Sequence, residues 1–333
     1  GRIHSYDQFL QNYCAARELG FDNINVDLMS ALPGQTADSW EKTLTRVIGL
    51  EPEHISAYSL IIEEGTPFAR RFGKGMPEEH LLPDEDEDRL IYHMTKDILL
   101  ANGYHRYEIS NYARKGFECR HNSSYWTGTQ YLGLGLGASS LLAQEEEEYR
   151  GCAGDVCGGG ASPLLIQEEE KREELSLVYS KSHIPGRGSS PLNYENLNSE
   201  YLRFHIENDL NEYIRLCCKY SETKSGETKS ETKSGPKENQ LTSDPIGLQR
   251  EIQPLSDKDR MEEFMFLGLR LCSGISKVDF LGRFHIPIED VYGSVIQKLI
   301  DQNLLEEAED RLKLTDYGID VSNIVLAEFL LGE

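Results

Sequence analysis

Apolar residues in the first 110 positions of this 333-residue chain switch repeatedly between a helical and a strand period. That alternation narrows the fold more than any other feature. Ser5 can cap a helix, and Gln8, three residues on, completes a capping box. Phe9, Leu10, Tyr13, Ala16 and Leu19 then recur at helical spacing until Gly20 stops them. Ile24, Val26 and Leu28 alternate with Asn25 and Asp27, the period of a strand. Thr36 can cap a second helix bearing Trp40, Leu44, Val47 and Ile48. A second strand is predicted from His54 to Ile62, with Ile55, Ala57, Ser59 and Ile61 facing one way. An acidic loop, Pro83 to Asp88, leads into a third helix with Leu90, Ile91, Met94, Ile98 and Leu99. Gly103 ends it, and His105 to Ile109 reads as a third strand. Helix and strand in alternation predict an α/β fold, a parallel sheet with crossover helices. The first two strands begin 30 residues apart, as in one βα unit of a barrel of roughly 250 residues and eight units. About three units are visible, too few to close a barrel.

From Gln144 to about Ser256 the texture changes. Glu145 to Glu148 is a charge run, Gly158 to Gly160 a glycine run, and Glu-Thr-Lys-Ser recurs at 222–225, 227–230 and 231–234. Such polar, repetitive sequence buries too little apolar area to order itself, so Ser221 to Pro254 reads as a solvated linker. Asn208 to Lys219 can form one short helix. Order returns at Asp257. A helix with Met261, Phe264, Met265, Leu267, Leu269 and Leu271 is followed by Val278 to Phe284 and Ile288 to Ile300. Leu304 to Glu307 and Arg311 to Leu314 flank Glu309-Asp310 as a hairpin, which makes a small winged-helix-like module. Three segments result: 1–143, 144–256 and 257–333.

Charge then limits the partners. The chain has 34 basic and 57 acidic residues, a net of -23, so phosphate backbones and anionic membrane surfaces repel it. The would-be recognition helix holds Glu289, Asp290 and only Lys298, which favours a structural or protein-contact role over DNA reading. No apolar run spans a bilayer, and the first residues are not a signal peptide. The cysteines, Cys14, Cys119, Cys152, Cys157, Cys217, Cys218 and Cys272, are odd in number and irregularly spaced, unlike a disulfide framework. The expected compartment is the cytoplasm.

Asp27 is the first candidate for chemistry. It lies opposite Ile24, Val26 and Leu28, near the carboxyl end of its strand, where barrels of βα units keep their active sites. A carboxylate there can accept both hydroxyls of a ribose, or simply be a salt-bridged polar residue of a barrel layer. Ser30 to Thr36 makes a tight turn into a helix start, suited to a polar or anionic ligand. The second candidate is the run His121-Asn122-Ser123-Ser124-Tyr125-Trp126, which offers an axial ligand and flat apolar faces for a porphyrin. Tyr131 to Ser139 has glycine at alternate positions, opening one strand face to a ligand or to close packing. Glu108 is a third strand-end carboxylate, more in keeping with a structural role. Cys152 and Cys157 lack the second pair that a zinc site wants.

The runs Asn25-Val26-Asp27-Leu28-Met29, Leu32-Pro33-Gly34-Gln35-Thr36 and His121-Asn122-x-x-Tyr125-Trp126 resemble the HemW family of radical S-adenosylmethionine proteins, related to oxygen-independent coproporphyrinogen III oxidase. The resemblance covers about 1–143 and 257–333. It implies the C-terminal half of a radical S-adenosylmethionine partial (β/α) barrel plus the winged-helix-like module. By resemblance Asp27 contacts S-adenosylmethionine, with Arg2 beside it and Ile61 contributing backbone and packing. The family links the His-Asn-x-x-Tyr-Trp run to heme, which implies His121 as iron ligand with Asn122, Tyr125 and Trp126 around it. Trp126 also suits core packing. The implied role is a chaperone that binds heme and passes it to acceptor proteins; the alternative is the oxidase, an enzyme, whose members lack that run. The family's four-iron four-sulfur cluster needs a C-x3-C-x2-C run, and no three cysteines here have that spacing. The expectation is therefore a chain lacking the family's cluster-binding start.

Overall fold

The computed structural model describes residues 4–143, 201–206, 208–217 and 249–332. Arg2, the glutamate and glycine runs, the Glu-Thr-Lys-Ser repeats, Cys152, Cys157 and Cys218 lie outside the described residues. The chain divides into two compact units: Gly1–Trp126 with Leu269–Gly274 and Lys298–Val325, and Thr127–Gly268 with Ile275–Gln297 and Leu326–Glu333.

The first unit opens with α1 (Tyr6–Glu18), β1 (Asn25–Ser30), α2 (Ala37–Ile48) and β2 (His54–Ser59). Ser5 and Gln8 exchange capping bonds at the start of α1, and Thr36 and Ser39 do the same at α2. α3 (Pro67–Phe72) and α4 (Glu85–Ala101) follow, then β3 (His105–Arg106), β4 (Asn111–Ala113) and α5 (Arg120–Trp126). The expected acidic loop is instead the first turn of α4. Asp84 caps it through the Glu87 N–H at 2.8 Å, and Glu85 to Asp88 sit at the end of the helix dipole that favours negative charge.

The sheet order is β1-β2-β4-β3. β1 and β2 run parallel, with Val26 opposite Ile55 and Asp27 opposite Ser56. The third strand departs from expectation, because β3 and β4 are an antiparallel hairpin and β4, not β3, pairs with β2. Glu108 folds the chain back there. Its Oε1 accepts from the Ser110 N–H at 2.8 Å and from Asn111 Nδ2 at 2.5 Å. One sheet face carries Val26, Ile55 and Tyr112 and packs on Trp40, Leu44 and Val47 of α2 and Ile91 and Leu99 of α4.

A half-buried clamp joins α1 to the starts of both parallel strands. Arg17 Nη2 donates to Glu53 at 3.0 and 2.8 Å, and the Ile24 N–H donates to the same carboxylate at 2.9 Å. Burial pushes the Glu53 carboxyl up, but the Ile24 amide and the Arg17 guanidinium outweigh it and hold it below its ordinary 4.5. A lowered folded value gives stability that is complete above pH 4.5 and lost as pH falls through the folded value. Glu53→Gln should therefore cost about 1–2 kcal/mol at neutral pH and progressively less as pH falls below 4.5, so less at pH 3. Urea unfolding at the two pH values checks this, and an equal gap at both refutes it.

The second unit holds an antiparallel sheet of β5 (Ser139–Ala143), β6 (Tyr201–Ile206) and β7 (Gln249–Leu255). β6 and β7 lie inside the segment read as biased and polar. β7 overlaps the expected linker, and Leu202 stands opposite Pro254. The two-residue alternation of buried Leu202 and Phe204 accounts for β6, a signal that average composition hides. A helix, α6, covers 210–217. The glycine-alternating run is a turn, not a strand: Gly135 and Gly137 have φ of +97° and +69°, and a Cβ on Gly133 would overlap the Ser139 carbonyl oxygen.

Beyond these lie α7 (Asp257–Gly268), β8 (Ile275–Ser276), α8 (Lys277–Phe284) and α9 (Ile288–Asp301). The hairpin of β9 (Leu305–Ala308) and β10 (Arg311–Leu314) comes next, then α10 (Asp316–Asp320) and α11 (Ser322–Ala327). In the second unit the core is aromatic: Phe280 lies 5.4 Å from Phe264, 4.7 Å from Phe284 and 6.2 Å from Tyr292. Lys277, 5% exposed, is neutralised by Glu289 at 2.9 Å.

Candidate functional site

Strand alternation gives the first unit's sheet a second, polar face. Asn25, Asp27 and Met29 of β1 stand in register with His54, Ser56 and Tyr58 of β2, and Asn111 of β4 follows beside Ser56. His54, Ser56 and Asn111 are buried, whereas Asp27, Met29 and Tyr58 are exposed. Asp27 therefore sits where a buried polar row meets solvent. It also borders an open recess of about 320 Å³ lined by His4, Tyr6, Thr43 and Arg46. Arg2 is outside the described residues, although its neighbours His4 and Ser5 line this recess.

Ile61 does not join Asp27. β2 ends at Ser59, and Ile61 is 78% exposed in the following loop, beside a separate recess with Glu63, Phe68 and Arg71. The chain turns away because Gly65 at φ +81° and the Thr66 cap with Pro67 behind it start α3. The expected face of Ile55, Ala57, Ser59 and Ile61 is thus two residues too long.

α5 carries the aromatic run and divides it by helical spacing. His121 is exposed, and its ring meets Tyr125 edge-on at 5.0 Å. Asn122 and Trp126, the second pair one turn apart, turn inward. The Asn122 side chain lies close enough to the Tyr107 hydroxyl to favour its ionised form, and the Arg270 guanidinium lies over the Trp126 ring at 4.5 Å. The Trp126 indole N–H is buried without a protein partner.

Three residues without a predicted role connect the two regions. Asn25 Nδ2 donates to Asp27 Oδ1 at 2.7 Å, and Asn25 Oδ1 lies 2.7 Å from His54 Nδ1. His54 Nε2 lies 2.9 Å from the Tyr107 hydroxyl, to which the Cys119 N–H donates at 3.3 Å. Burial pushes the His54 imidazole down from its ordinary value, against the pull of Asp27 and Glu118. Burial likewise raises Tyr107, so both groups are uncharged near neutrality. The two-residue period did place Asn25 and His54 on a polar face; nothing in the sequence joins Tyr107 to them.

The residues present do not fit an iron–sulfur cluster. The described cysteines, Cys14, Cys119, Cys217 and Cys272, are free, and no group of three or more His, Cys, Asp or Glu among the described residues is arranged to hold a metal ion. A single exposed imidazole such as His121 does fit an axial iron ligand.

Comparison with known proteins bears on the same regions. A family profile described as the HemN C-terminal domain matches residues 255–321. The heme chaperone HemW of Lactococcus lactis is 29% identical over all 333 residues, which is 100% of this chain and 65% of that protein. HemW of Bacillus subtilis is 28% identical over 330 residues, 99% of this chain and 65% of that protein. Over its whole length this chain is thus similar to HemW heme chaperones. It spans about two thirds, 65%, of the length of these two HemW proteins. A zebrafish protein (Danio rerio) named radical S-adenosyl methionine domain-containing protein 1, mitochondrial, is 37% identical over 138 residues, 41% of this chain and 30% of that protein. The chain also shares its fold with coproporphyrinogen III oxidase (HemN) from Escherichia coli, described as a radical SAM enzyme. The TM-score is 0.61 at 14% identity, covering 99% of this chain and 59% of that one. The α/β class expected from the sequence is thus present, and the HemN C-terminal domain profile overlaps the module expected at 257–333.

Proposed function

We propose that this chain is the heme-holding part of a heme chaperone, with His121 of α5 as the axial iron ligand and Tyr125 as the aromatic face beside it. The observation that carries this is the exposed His121 imidazole standing edge-on to Tyr125 at 5.0 Å, on a short helix whose opposite side is fixed by Asn122 and Trp126. Exposure leaves the ring free for iron, and the fixed inner side orients it. The names of the curated relatives, heme chaperones, support heme as the ligand, and heme-acceptor proteins are the partners this reading proposes. In this reading residues 1–143 carry the binding sites, 144–256 are an insertion, and 257–333 make protein contacts in the cytoplasm. Asp27, with Arg2, is the contact for S-adenosylmethionine; Ile61, beside a separate recess, is left out of it. Reductive cluster chemistry is not assigned to this chain.

A titration of the purified chain with hemin, followed at the Soret band, tests the reading. A saturable shift is expected, weakened at least tenfold by His121→Ala. Identical curves for the two proteins would remove His121 as ligand. The oxidase alternative rests on shared fold alone; tighter binding of coproporphyrin than of heme would bring it forward.

A further inference from the structure

The polar contacts between Asp27 and α5 have one permitted direction. A carboxylate only accepts, so the amide that faces Asp27 Oδ1 at 2.7 Å is Nδ2 of Asn25, and Asn25 Oδ1 turns to the other side. There it accepts from Ser56 Oγ at 3.2 Å and from His54 Nδ1 at 2.7 Å. A neutral imidazole that donates from Nδ1 has only an acceptor left at Nε2. The Tyr107 hydroxyl, 2.9 Å away, therefore donates to it, and the Tyr107 oxygen accepts from the Cys119 N–H, beside the Asn122 side chain at the start of α5. Every proton along the path points toward Asp27.

We infer that Asn25, His54 and Tyr107 form a one-directional hydrogen-bond relay of positioning residues through which the Asp27 carboxylate sets the placement of α5. His54 is 4% exposed, so water does not readily replace its two links and a low local dielectric strengthens them, whereas the Asn25–Asp27 bond at the open end of the path stands in solvent. Neutralising Asp27, as in Asp27→Asn, gives position 27 a donor as well as an acceptor, and occupying it engages the acceptor, so in either case the orientation of Asn25 is no longer fixed. Asn25 can then turn its amide over, His54 loses its reason for the Nδ1–H form, and Tyr107 loses its acceptor. The end of the path is the turn that carries Cys119 and Asn122, on either side of His121. The consequence for heme rests on the proposed function; the relay itself does not. Coupling of this kind is reciprocal, so a ligand on α5 also changes the affinity at Asp27.

The test is a double-mutant cycle with two readouts on the full chain. Asp27→Asn is expected to shift the Cys119 amide resonance and to weaken hemin binding threefold or more. In the Tyr107→Phe background, where thermal unfolding first confirms the fold, both responses to Asp27→Asn are expected to vanish. Responses of equal size in both backgrounds overturn the relay. If hemin does not bind the parent protein at all, the proposed function fails and the amide resonance alone decides the relay. Should Tyr107→Phe not fold, nitrogen NMR of histidine-labelled parent protein decides instead: His54 as the neutral Nδ1–H tautomer supports the relay, and the Nε2–H tautomer or an imidazolium at neutral pH rejects it.

Discussion

Trp40→Ala is expected to destabilise the first unit by about 4 kcal/mol, the largest loss that one side-chain truncation should cause there. Trp40 is 1% exposed and lies in the core cluster with Leu44, Ile91 and Leu99, where α2 meets α4. Its indole N–H donates to Thr95 Oγ1 at 2.7 Å, and that hydroxyl donates in turn to the Ile91 carbonyl at 2.6 Å. Truncation thus loses apolar contact, opens a cavity and strips the donor from a buried oxygen. Trp40→Phe separates these effects. It keeps most of the buried area, and Thr95 keeps its bond to Ile91, so about 1–2 kcal/mol is expected. Urea unfolding followed by circular dichroism measures both. A loss below 1 kcal/mol for the alanine variant would mean that α2 is not held by this core.

Gly274→Ala should cost a similar amount, about 4 kcal/mol, for a different reason. Gly274 has φ +66°, and a Cβ there would overlap the Leu312 carbonyl oxygen and come within 2.6 Å of Lys313 Cβ. The chain cannot retreat easily, because Arg311 ties down the Ser273 and Gly274 carbonyls, each at 2.8 Å. Gly135→Ala is the control: its φ is +97°, but nothing lies within 4 Å of the added methyl, so backbone strain alone should cost about 1–2 kcal/mol. Equal losses in the two variants would show that the close approach at Gly274 is relieved at little cost. The same segment touches the relay, since the Cys272 N–H donates to the Tyr107 carbonyl at 2.9 Å. Gly274→Ala should therefore also disturb α5.

Local chemistry made the first two βα units readable in advance. Ser5, Thr36 and the alternation of Val26, Leu28, Ile55 and Ala57 are signals spelled by neighbours in sequence, and the structure follows them. The errors began where a long-range or side-chain contact decides. Only the folded Glu108 carboxylate shows that residues 105–113 make a hairpin, and β6 and β7 find each other across residues that composition marks as polar. The site was legible in the same measure. Asp27 and His121 stood out by residue type and place, while Tyr107 owes its role to a histidine 53 residues earlier that no local pattern brings near.

The many side-chain caps bear on the order of assembly. Ser5, Thr36, Thr66, Asp84, Ser276 and Thr315 each fix a helix start with an oxygen from the residue just before it. Helix boundaries are thus decided in the nascent chain, before any strand has a neighbour, on a timescale near microseconds. Pairing β1 with β2 then closes only 29 residues, from Asn25 to His54, 12 of them already shortened by α2. Bringing β4 to β2 closes a loop about twice as long, at an entropic cost only about 0.6 kcal/mol greater. On loop length alone, the parallel pair is therefore the cheaper of the two to close, ahead of the antiparallel hairpin.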